Sequence, residues 1–154
     1  MNYSYLTHAL TEIGPKLDPV HISEDEDGMT YSLIFPTGLR VLIERDENRE
    51  TLVFVGELGM ARDEAETQKL CMFLMQFNSV WNTSGGLWFG CAEGCVFQLF
   101  WDVPYCPLDA ETLGANIISF VERSEYWRDL VGRGAPNPDD SPEPPENPET
   151  MIRV

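Results

Sequence analysis

Cysteine and histidine are the side chains of this sequence that could bind a transition metal. Cys91 and Cys95 are four residues apart, and Cys106 follows eleven residues later. Structural zinc sites usually contain tighter cysteine pairs, with two residues between the ligands and a fourth ligand nearby. Here Cys91 and Cys95 flank a predicted hairpin turn, and neither His8 nor His21 is close in sequence. We therefore predict structural free thiols and no metal site.

The sequence contains no combination of residues that indicates catalysis. No serine or cysteine lies in a recognisable nucleophile motif, and no Walker loop or dinucleotide-binding motif is present. Gly85-Gly86 is better explained as the end of a helix. The acidic run 24–27 lacks the ligand spacing of an EF-hand, so a solvated loop is the simpler interpretation. We predict a protein that is not an enzyme and uses no cofactor; a small enzyme with a ligand pocket under the sheet is the alternative.

The charge of the chain limits its partners. The 154 residues include 26 acids and 10 basic residues, and the net charge is −16. Nucleic-acid binding requires a basic surface, so nucleic acid is not an expected partner, and neither is an anionic membrane. The N-terminus lacks the basic and apolar regions of a signal peptide, and the longest apolar run is far shorter than the ~20 residues of a membrane span. We expect a cytoplasmic protein with reduced cysteines, whose partner is basic or poorly soluble.

Apolar periodicity predicts three helices and five strands. The strands alternate in polarity and are joined by short turns, which is typical of an antiparallel sheet. In chain order, the predicted elements are a helix at 3–13 stopped by Gly14-Pro15, strands at 29–35, 39–43 and 51–58, a helix at 63–81, a hairpin of strands 87–91 and 95–103, and a helix from Asp109. The sequence thus predicts an α+β protein of order α-β-β-β-α-β-β-α, with helices packed on an antiparallel sheet.

The segments between these elements are polar. Residues 21–27 are predicted to be a connector, and residues 44–50 a charged loop. After Gly132, prolines and acids alternate, a composition that favours disorder. We therefore predict a folded domain at 1–131 and a disordered tail at 132–154. The apolar last four residues of the tail are either a frayed end or a docking segment.

The second predicted helix is too apolar for a helix with one buried face. Between residues 70 and 81, only Gln76, Asn78 and Ser79 are polar. A surface helix has one apolar stripe and one polar face. We therefore expect this helix to be buried on two sides, with the sheet on one side and a second subunit on the other. Several strands are also apolar on both faces, so the second face of the sheet needs a cover.

Short local sequences accompany this order of elements. They are Leu6 with Leu10, Asp27-Gly28, residues 74–81, 96–100 and 120–130, and Leu108-Asp109. Together with the element order, they resemble type III secretion chaperones of the Tir-chaperone (CesT) family over about residues 1–131. Residues 77–81, Phe89-Gly90, Tyr126-Trp127 and Arg153-Val154 make the chain most similar to the regulatory, ExsC-like branch of that family. The proline-rich stretch 136–148 departs from the short tail of the family.

This resemblance implies a function in protein binding. Family members form homodimers through the second helix and the adjacent strand, catalyse no reaction and use no nucleotide. Each dimer binds the N-terminal segment of a secreted effector, which wraps around it in extended form. Members of the ExsC-like branch also bind an anti-activator protein, so that a chaperone without its secreted partner releases the transcriptional activator. A chaperone dedicated to an effector, without a regulatory role, is the alternative.

The residues and the resemblance together suggest two surfaces. The apolar second helix favours a symmetric contact, as dimers with twofold symmetry require. The candidates for the dimer interface are Leu70, Phe73, Leu74, Phe77, Trp81, Leu87 and Phe89. The candidates for client binding, on the first helix and the second faces of the strands, are Leu6, Leu10, Ile13, Ile34, Leu42, Val53 and Val55. The core of a single subunit is the alternative place for both sets. A client could also add a strand at the edge of the sheet.

Overall fold

The described part of the chain forms three α-helices and one six-stranded sheet. The computed structural model describes residues 4–19, 21–25, 29–80, 82–104 and 108–136. The elements are α1 (Ser4–Leu17), β1 (His21–Glu24), β2 (Thr30–Ile34), β3 (Arg40–Asp46), β4 (Thr51–Gly59), α2 (Glu64–Ser79), β5 (Leu87–Ala92), β6 (Val96–Pro104) and α3 (Ala110–Arg133). The strand order is β1-β2-β3-β4-β6-β5, with every neighbouring pair antiparallel. The predicted α+β class, with helices packed on an antiparallel sheet, is confirmed.

One face of the sheet forms the core together with α3. Because side chains alternate along a strand, Leu33, Ile43 and Phe54 share this face, and all three are fully buried. The Phe120 ring of α3 lies 5.6 Å from the Phe54 ring and 6.3 Å from the Trp101 ring, centroid to centroid. α3 therefore lies across the middle strands.

The other two helices pack on the same face. In α1, the Thr7 hydroxyl is 2.7 Å from the Tyr31 hydroxyl, and Tyr31 lies opposite the buried Ile43. In α2, the Phe77 ring contacts the Phe89 ring edge-on at 5.1 Å. Since all three helices contact this face, we call the opposite face of the sheet the helix-free face.

Helix α1 is longer than predicted. The Gly14-Pro15 pair was expected to stop it after Ile13, but α1 continues to Leu17 with Pro15 inside it. Proline removes one backbone hydrogen bond near a helix end, and the burial of Leu17 against the core opposes this loss. The helix ends where Asp18 adopts a positive φ of 52°.

The sheet contains one strand more than predicted. Residues 21–24 were expected to be part of a polar connector, but they form β1 and pair antiparallel with β2. Ile22, opposite Leu33, packs on the core, and the Tyr31 hydroxyl donates a hydrogen bond to Glu24 Oε1 at 2.9 Å. One apolar side chain in a four-residue strand leaves too short an alternation to be visible in the sequence.

The remaining boundaries differ from prediction by a few residues. The Asp63 side chain caps α2 by accepting a hydrogen bond from the Glu66 backbone nitrogen at 2.8 Å, and the helix ends at Ser79. β3 continues to Asp46, into the predicted charged loop, because residues 44–46 pair with 51–53. The described part of α3 ends at Arg133. The tail from residue 137 lies outside the described residues, so the predicted domain boundary stays a prediction.

Candidate protein-binding surfaces

An apolar row crosses the helix-free face of the sheet. Trp88 of β5 lies opposite Phe100 of β6, Phe100 lies opposite Val55 of β4, and Val55 lies opposite Leu42 of β3. Residues that are directly opposite on adjacent strands share a face and contact each other. We call these four residues, Leu42, Val55, Trp88 and Phe100, the apolar row.

The apolar row is closely packed at its β5 end. The Trp88 and Phe100 rings stack with centroids 4.0 Å apart and planes 7° apart. The Phe100 ring also lies over Gly90, because a Cβ at Gly90 would be 2.9 Å from Phe100 Cε2. Val55 in the middle of the row is 3% exposed, whereas Trp88 is 39% exposed. Among the described residues, the row is therefore open mainly at its β5 end.

Charged side chains flank the apolar row on both sides. On one side, Arg40 pairs with Glu57 at 3.3 Å and donates from Nε to the Ser32 hydroxyl at 3.1 Å. On the other side, Arg49 forms an ion pair with Asp102. Such exposed pairs add little stability, but they limit the apolar surface to a strip across the strands.

The structure divides the seven predicted client-binding residues into two groups. Four of them lie on the helix-free face: Ile34, Leu42, Val53 and Val55. The three from α1, Leu6, Leu10 and Ile13, are 3–4% exposed and belong to the core on the opposite face. The two groups therefore do not share one face of this subunit, and the contribution of each to client binding stays a prediction.

Sequence reasoning missed the two aromatic members of the apolar row. Trp88 lies between Leu87 and Phe89, which were assigned to the dimer interface, so alternation alone places Trp88 on the other face. Phe100 was predicted to lie in a central strand, but no face was assigned to it. Alternation from the buried Leu99 would have placed it correctly.

The predicted dimer residues lie where α2, β5 and α3 meet. Phe73, Phe77 and Phe89 surround Trp127 of α3, with ring centroids 6.5, 5.1 and 4.6 Å from it. Of the predicted set, four are buried in this subunit and two are half-buried: Leu70, Leu74, Leu87 and Phe89, then Phe73 and Phe77. Trp81 lies outside the described residues. The set therefore contributes mainly to the packing of α2 on its own subunit.

The outer side of α2 carries apolar residues that were not selected from the sequence. Met72 is 67% exposed, Met75 is 71% exposed, and Val80 at the end of the helix is 46% exposed. Methionine side chains adapt their shape to a partner surface. The helix thus has a packed side and an outer side on which these apolar residues are exposed, and its burial against a second subunit stays a prediction.

The Asn78 side chain covers part of the β5 edge. Its Nδ2 donates to the Phe89 carbonyl at 2.9 Å, and its Oδ1 accepts from the Phe89 backbone nitrogen at 2.8 Å. The amide thereby takes the place of one residue of a further strand. An exposed strand edge can pair with another chain, and this contact blocks such pairing at Phe89.

The opposite edge of the sheet is more accessible. Within the described residues, β1 pairs with β2 and has no strand on its outer side. An open groove of about 400 Å³ lies between β1 and the end of α1, with Leu10, Pro15 and Ile22 among its lining residues. An extended peptide could pair with β1 and place an apolar side chain in this groove.

Apart from these surfaces, the described residues show few features of a chemical site. No group of three or more histidine, cysteine or acidic residues among them is arranged to hold a metal ion. No helix in the described part of the chain is long and apolar enough to cross a membrane. Hydrogen bonds from Thr112 lower the pKa of Asp109, and burial raises the pKa of the Cys91 thiol. The first is a helix cap, and the second belongs to a free cysteine near the end of β5.

A comparison with models of protein families shows which family this chain belongs to. The model of the Tir chaperone protein (CesT) family matches residues 8–128. The chain belongs to the CesT family. The predicted relationship is therefore confirmed, and this family consists of chaperones and not of enzymes. A search of curated proteins gave no match.

Solved structures share the fold of this CesT-family chain. A chain in the crystal structure of the ExsC-ExsE complex has a TM-score of 0.68 and 22% identity, covering 86% of this chain and 98% of its own length. For the HopA1-SchA chaperone-effector complex the TM-score is 0.59 and the identity 19%, with coverage of 83% and 96%. For the Yersinia pestis type III secretion chaperone SycH with a fragment of YscM2, the TM-score is 0.56 and the identity 16%. The match covers 81% of this chain and 98% of the other chain. The common fold spans nearly the whole length of these proteins.

Proposed function

We propose that this chain is a type III secretion chaperone that binds the N-terminal segment of a secreted protein in the cytoplasm of a bacterium. The observation that carries the proposal is the apolar row on the helix-free face of a CesT-family chain. Three similar solved structures are complexes, and two of them are described as containing a chaperone. The proposal assigns the same type of partner to this chain.

The helix-free face suits an extended client. Trp88 and Ile34 are 39% and 36% exposed, at opposite ends of a face whose middle is apolar. A segment with apolar side chains could cover this strip, and the gain is about 25 cal/mol per Å² of apolar surface buried. Backbone pairing at the β1 edge would add affinity without strict sequence requirements. The net charge of −16 favours a basic or poorly soluble client and keeps the complex in solution.

We also propose that the active form is a homodimer that uses the outer side of α2. Met72 and Met75 lie more than two-thirds exposed on this helix. A twofold contact brings the same patch of two subunits together, and burying methionine side chains favours that contact. The dimer would present two client-binding faces.

A more specific version of the proposal is that the chaperone also has a regulatory role. The TM-score to the chain of the ExsC-ExsE complex exceeds those to the other two structures, and residues 77–81 carry the resemblance to the ExsC-like branch. In this role the chaperone binds an anti-activator when its secreted partner has left the cell, and transcription follows. A chaperone dedicated to one effector has the same surfaces but no second partner.

The experiment compares the wild type with one double surface variant and a matched control. Tagged wild-type protein, the double variant Trp88→Ser with Ile34→Asp, and the control Ile118→Asp are expressed in the source cells, and captured proteins are identified by mass spectrometry. Ile118 is 48% exposed on α3, so its replacement changes a similar surface elsewhere. We expect the wild type and the control to capture a secreted protein, and the double variant to lose at least about tenfold in affinity for it.

Two results would count against the proposal. Equal capture by the wild type and the double variant would remove the helix-free face from the binding surface. Capture by the wild type of proteins that are neither secreted nor transcriptional regulators would contradict the chaperone function. Deleting the N-terminal segment of the captured protein checks which part of it binds.

A further inference from the structure

The two sides of the apolar row on the helix-free face differ in their balance of charge. On one side, Arg40 and Glu57 form an ion pair at 3.3 Å, which is neutral as a whole. On the other side, three carboxylates lie on the same face as the row, and one guanidinium pairs with two of them. The carboxylates are those of Glu44 and Asp46 in β3 and Asp102 in β6, and the guanidinium is that of Arg49. We call Glu44, Asp46 and Asp102 the acidic border.

Strand pairing places the acidic border directly beside the apolar row. Glu44 lies opposite Val53, and Val53 lies opposite Asp102, so these three residues form a line parallel to the row with a carboxylate at each end. Asp102 follows Phe100 by two residues in β6, which is a distance of about 7 Å on the same face. Glu44 follows Leu42 in the same way in β3. A lysine or arginine of a partner can therefore reach the border while a neighbouring apolar residue contacts the row.

Two members of the acidic border have carboxylate oxygens without a partner. Glu44 is exposed, and its side chain has no ion-pair partner among the described residues. Arg49 pairs with one oxygen of Asp102, whereas the other oxygen, Oδ1, is buried and has no hydrogen-bond partner among the same residues. Leaving a buried acceptor without a donor costs free energy. A cation from a partner would therefore meet carboxylate oxygens that the subunit itself does not pair.

We propose that the client segment carries lysine or arginine next to the apolar residues that contact the apolar row, and that Glu44 and Asp102 attract these cations. This client chemistry rests on the proposed function, because it describes the partner of the helix-free face. Burial of the row supplies most of the favourable free energy of binding. The acidic border selects among apolar segments, because it attracts a segment with cations and repels one with acidic residues at the same positions.

The unequal sides of the apolar row also favour one orientation of the client. If the client were turned around, its cations would lie beside Arg40 and Glu57, which already neutralise each other. The net charge of −16 attracts cations to many parts of the surface. The position of Glu44 and Asp102 beside the row is therefore decisive, and not the number of acids in the chain.

The test measures the binding of short synthetic peptides to the full-length chain. One peptide alternates apolar residues with lysine, and two others have glutamine or glutamate in place of lysine. Their affinities are measured for the wild type, for Trp88→Ser, and for Glu44→Gln with Asp102→Asn. The matched control, Glu12→Gln with Glu122→Gln, removes the same number of charges from exposed positions of α1 and α3.

The lysine peptide should bind the wild type about fivefold more tightly than the glutamine peptide, as expected for two exposed ion pairs. The glutamate peptide should bind more weakly than both. Neutralising Glu44 and Asp102 should abolish the preference for lysine and leave the affinity for the glutamine peptide unchanged, whereas the control pair should keep the preference. Trp88→Ser should weaken the binding of both peptides. Glu44→Gln alone, at an exposed position, should reduce the preference even if the double variant is unstable.

The possible negative results separate this client chemistry from the proposed function. Equal affinities of the wild type for the lysine and glutamine peptides, both lowered by Trp88→Ser, would overturn the role of Glu44 and Asp102 and leave the client-binding face in place. A preference for lysine that disappears equally in the control pair would assign it to net charge and would also overturn that role. If no peptide bound the helix-free face, both this client chemistry and the face itself as the client-binding surface would be contradicted.

Discussion

Gly56 shows how closely a helix and a strand approach each other in this fold. A Cβ at this position of β4 would lie 2.5 Å from Ser124 Oγ and 3.4 Å from Phe120 Cε1. Both neighbours belong to α3 and are fully buried. We predict that Gly56→Ala lowers the free energy of unfolding by about 1–3 kcal/mol, because overpacking moves α3 away from the sheet. Urea denaturation measures this loss.

A control and a double variant identify the cause of that loss. Gly132 of α3 has open space around it, so Gly132→Ala should be neutral or stabilising by up to ~1 kcal/mol. The Ser124 hydroxyl has no hydrogen-bond partner among the described residues, so Ser124→Ala should recover part of the loss in the Gly56→Ala background. Equal losses for the two glycine variants would show that contact with α3 is not the cause.

Asn78 is the residue that fixes α2 to the β5 edge. Its side chain makes two hydrogen bonds to the Phe89 backbone, at 2.9 and 2.8 Å. We predict that Asn78→Ala lowers the free energy of unfolding by about 1–3 kcal/mol, since two part-buried backbone groups lose their partner. The Phe89 amide should also exchange its hydrogen faster, as NMR can measure. Gln76→Ala, an exposed change on the same helix, should change neither quantity, and slow exchange at Phe89 in Asn78→Ala would contradict the assignment.

At the scale of elements, the start of α3 depends on the charge of its cap. Asp109 accepts a hydrogen bond from the Thr112 backbone nitrogen at 2.7 Å, and this bond is the main cause that lowers the pKa of Asp109 from its ordinary value of 3.8. A carboxyl whose pKa is lowered on folding adds stability above its unfolded pKa, and this contribution is lost as the pH falls through the folded pKa. We therefore predict that Asp109→Ala melts at a lower temperature than the wild type at pH 7, and that the difference narrows below pH 3.8.

Asp109→Asn is the matched control for this prediction. Asparagine is about as good a helix cap as aspartate but has no charge to titrate. The asparagine variant should keep most of the stability at pH 7 and lose the pH dependence that belongs to this site. A constant difference between Asp109→Ala and the wild type at all pH values would show that ionisation of Asp109 is not involved.

The elements that were predicted correctly from the sequence are those with long periodic patterns. α3 and the β5–β6 hairpin lie where expected, because Asp109 marks the helix start and β6 alternates over nine residues. β1 was missed because its four residues carry one inward apolar side chain, Ile22. The predicted end of α1 was wrong. Pro15 favours a helix end locally, but the burial of Leu17 in the core opposes this preference, and a local sequence pattern does not show that burial.

The candidate surfaces were only partly predictable for a similar reason. Alternation along one strand identifies its two faces, and this placed Leu42 and Val55 correctly on the helix-free face. It does not show which face the helices cover, so the buried Leu10 of α1 was grouped with them. The apolar row is formed by the register of four neighbouring strands. Trp88 and Leu42 lie in the same row because of strand pairings, and the sequence of a single strand does not show which residues of other strands it pairs with.

At the scale of the whole molecule, the proposed dimer should determine the mass in solution. One chain has a mass of 17.5 kDa, so light scattering of the isolated protein at micromolar concentration should give about twice that value. A net charge of −16 opposes association of two chains unless apolar surface is buried between them. The exposed methionines of α2 provide that apolar surface. A monomer at this concentration would contradict the proposed dimer.

The position of the dimer contact can be tested without disturbing the core of a subunit. Met72 and Met75 are 67% and 71% exposed, whereas Leu74 between them is 3% exposed, so a charge at Leu74 would unfold the chain rather than separate two chains. We predict that Met72→Glu with Met75→Glu yields a folded monomer, because four added carboxylates would face each other across a twofold contact and lose water on association. Ile118→Glu on α3, a similarly exposed apolar position, should stay dimeric. A double variant that remains a dimer would move the contact away from the outer side of α2, and an Ile118→Glu monomer would place it on α3.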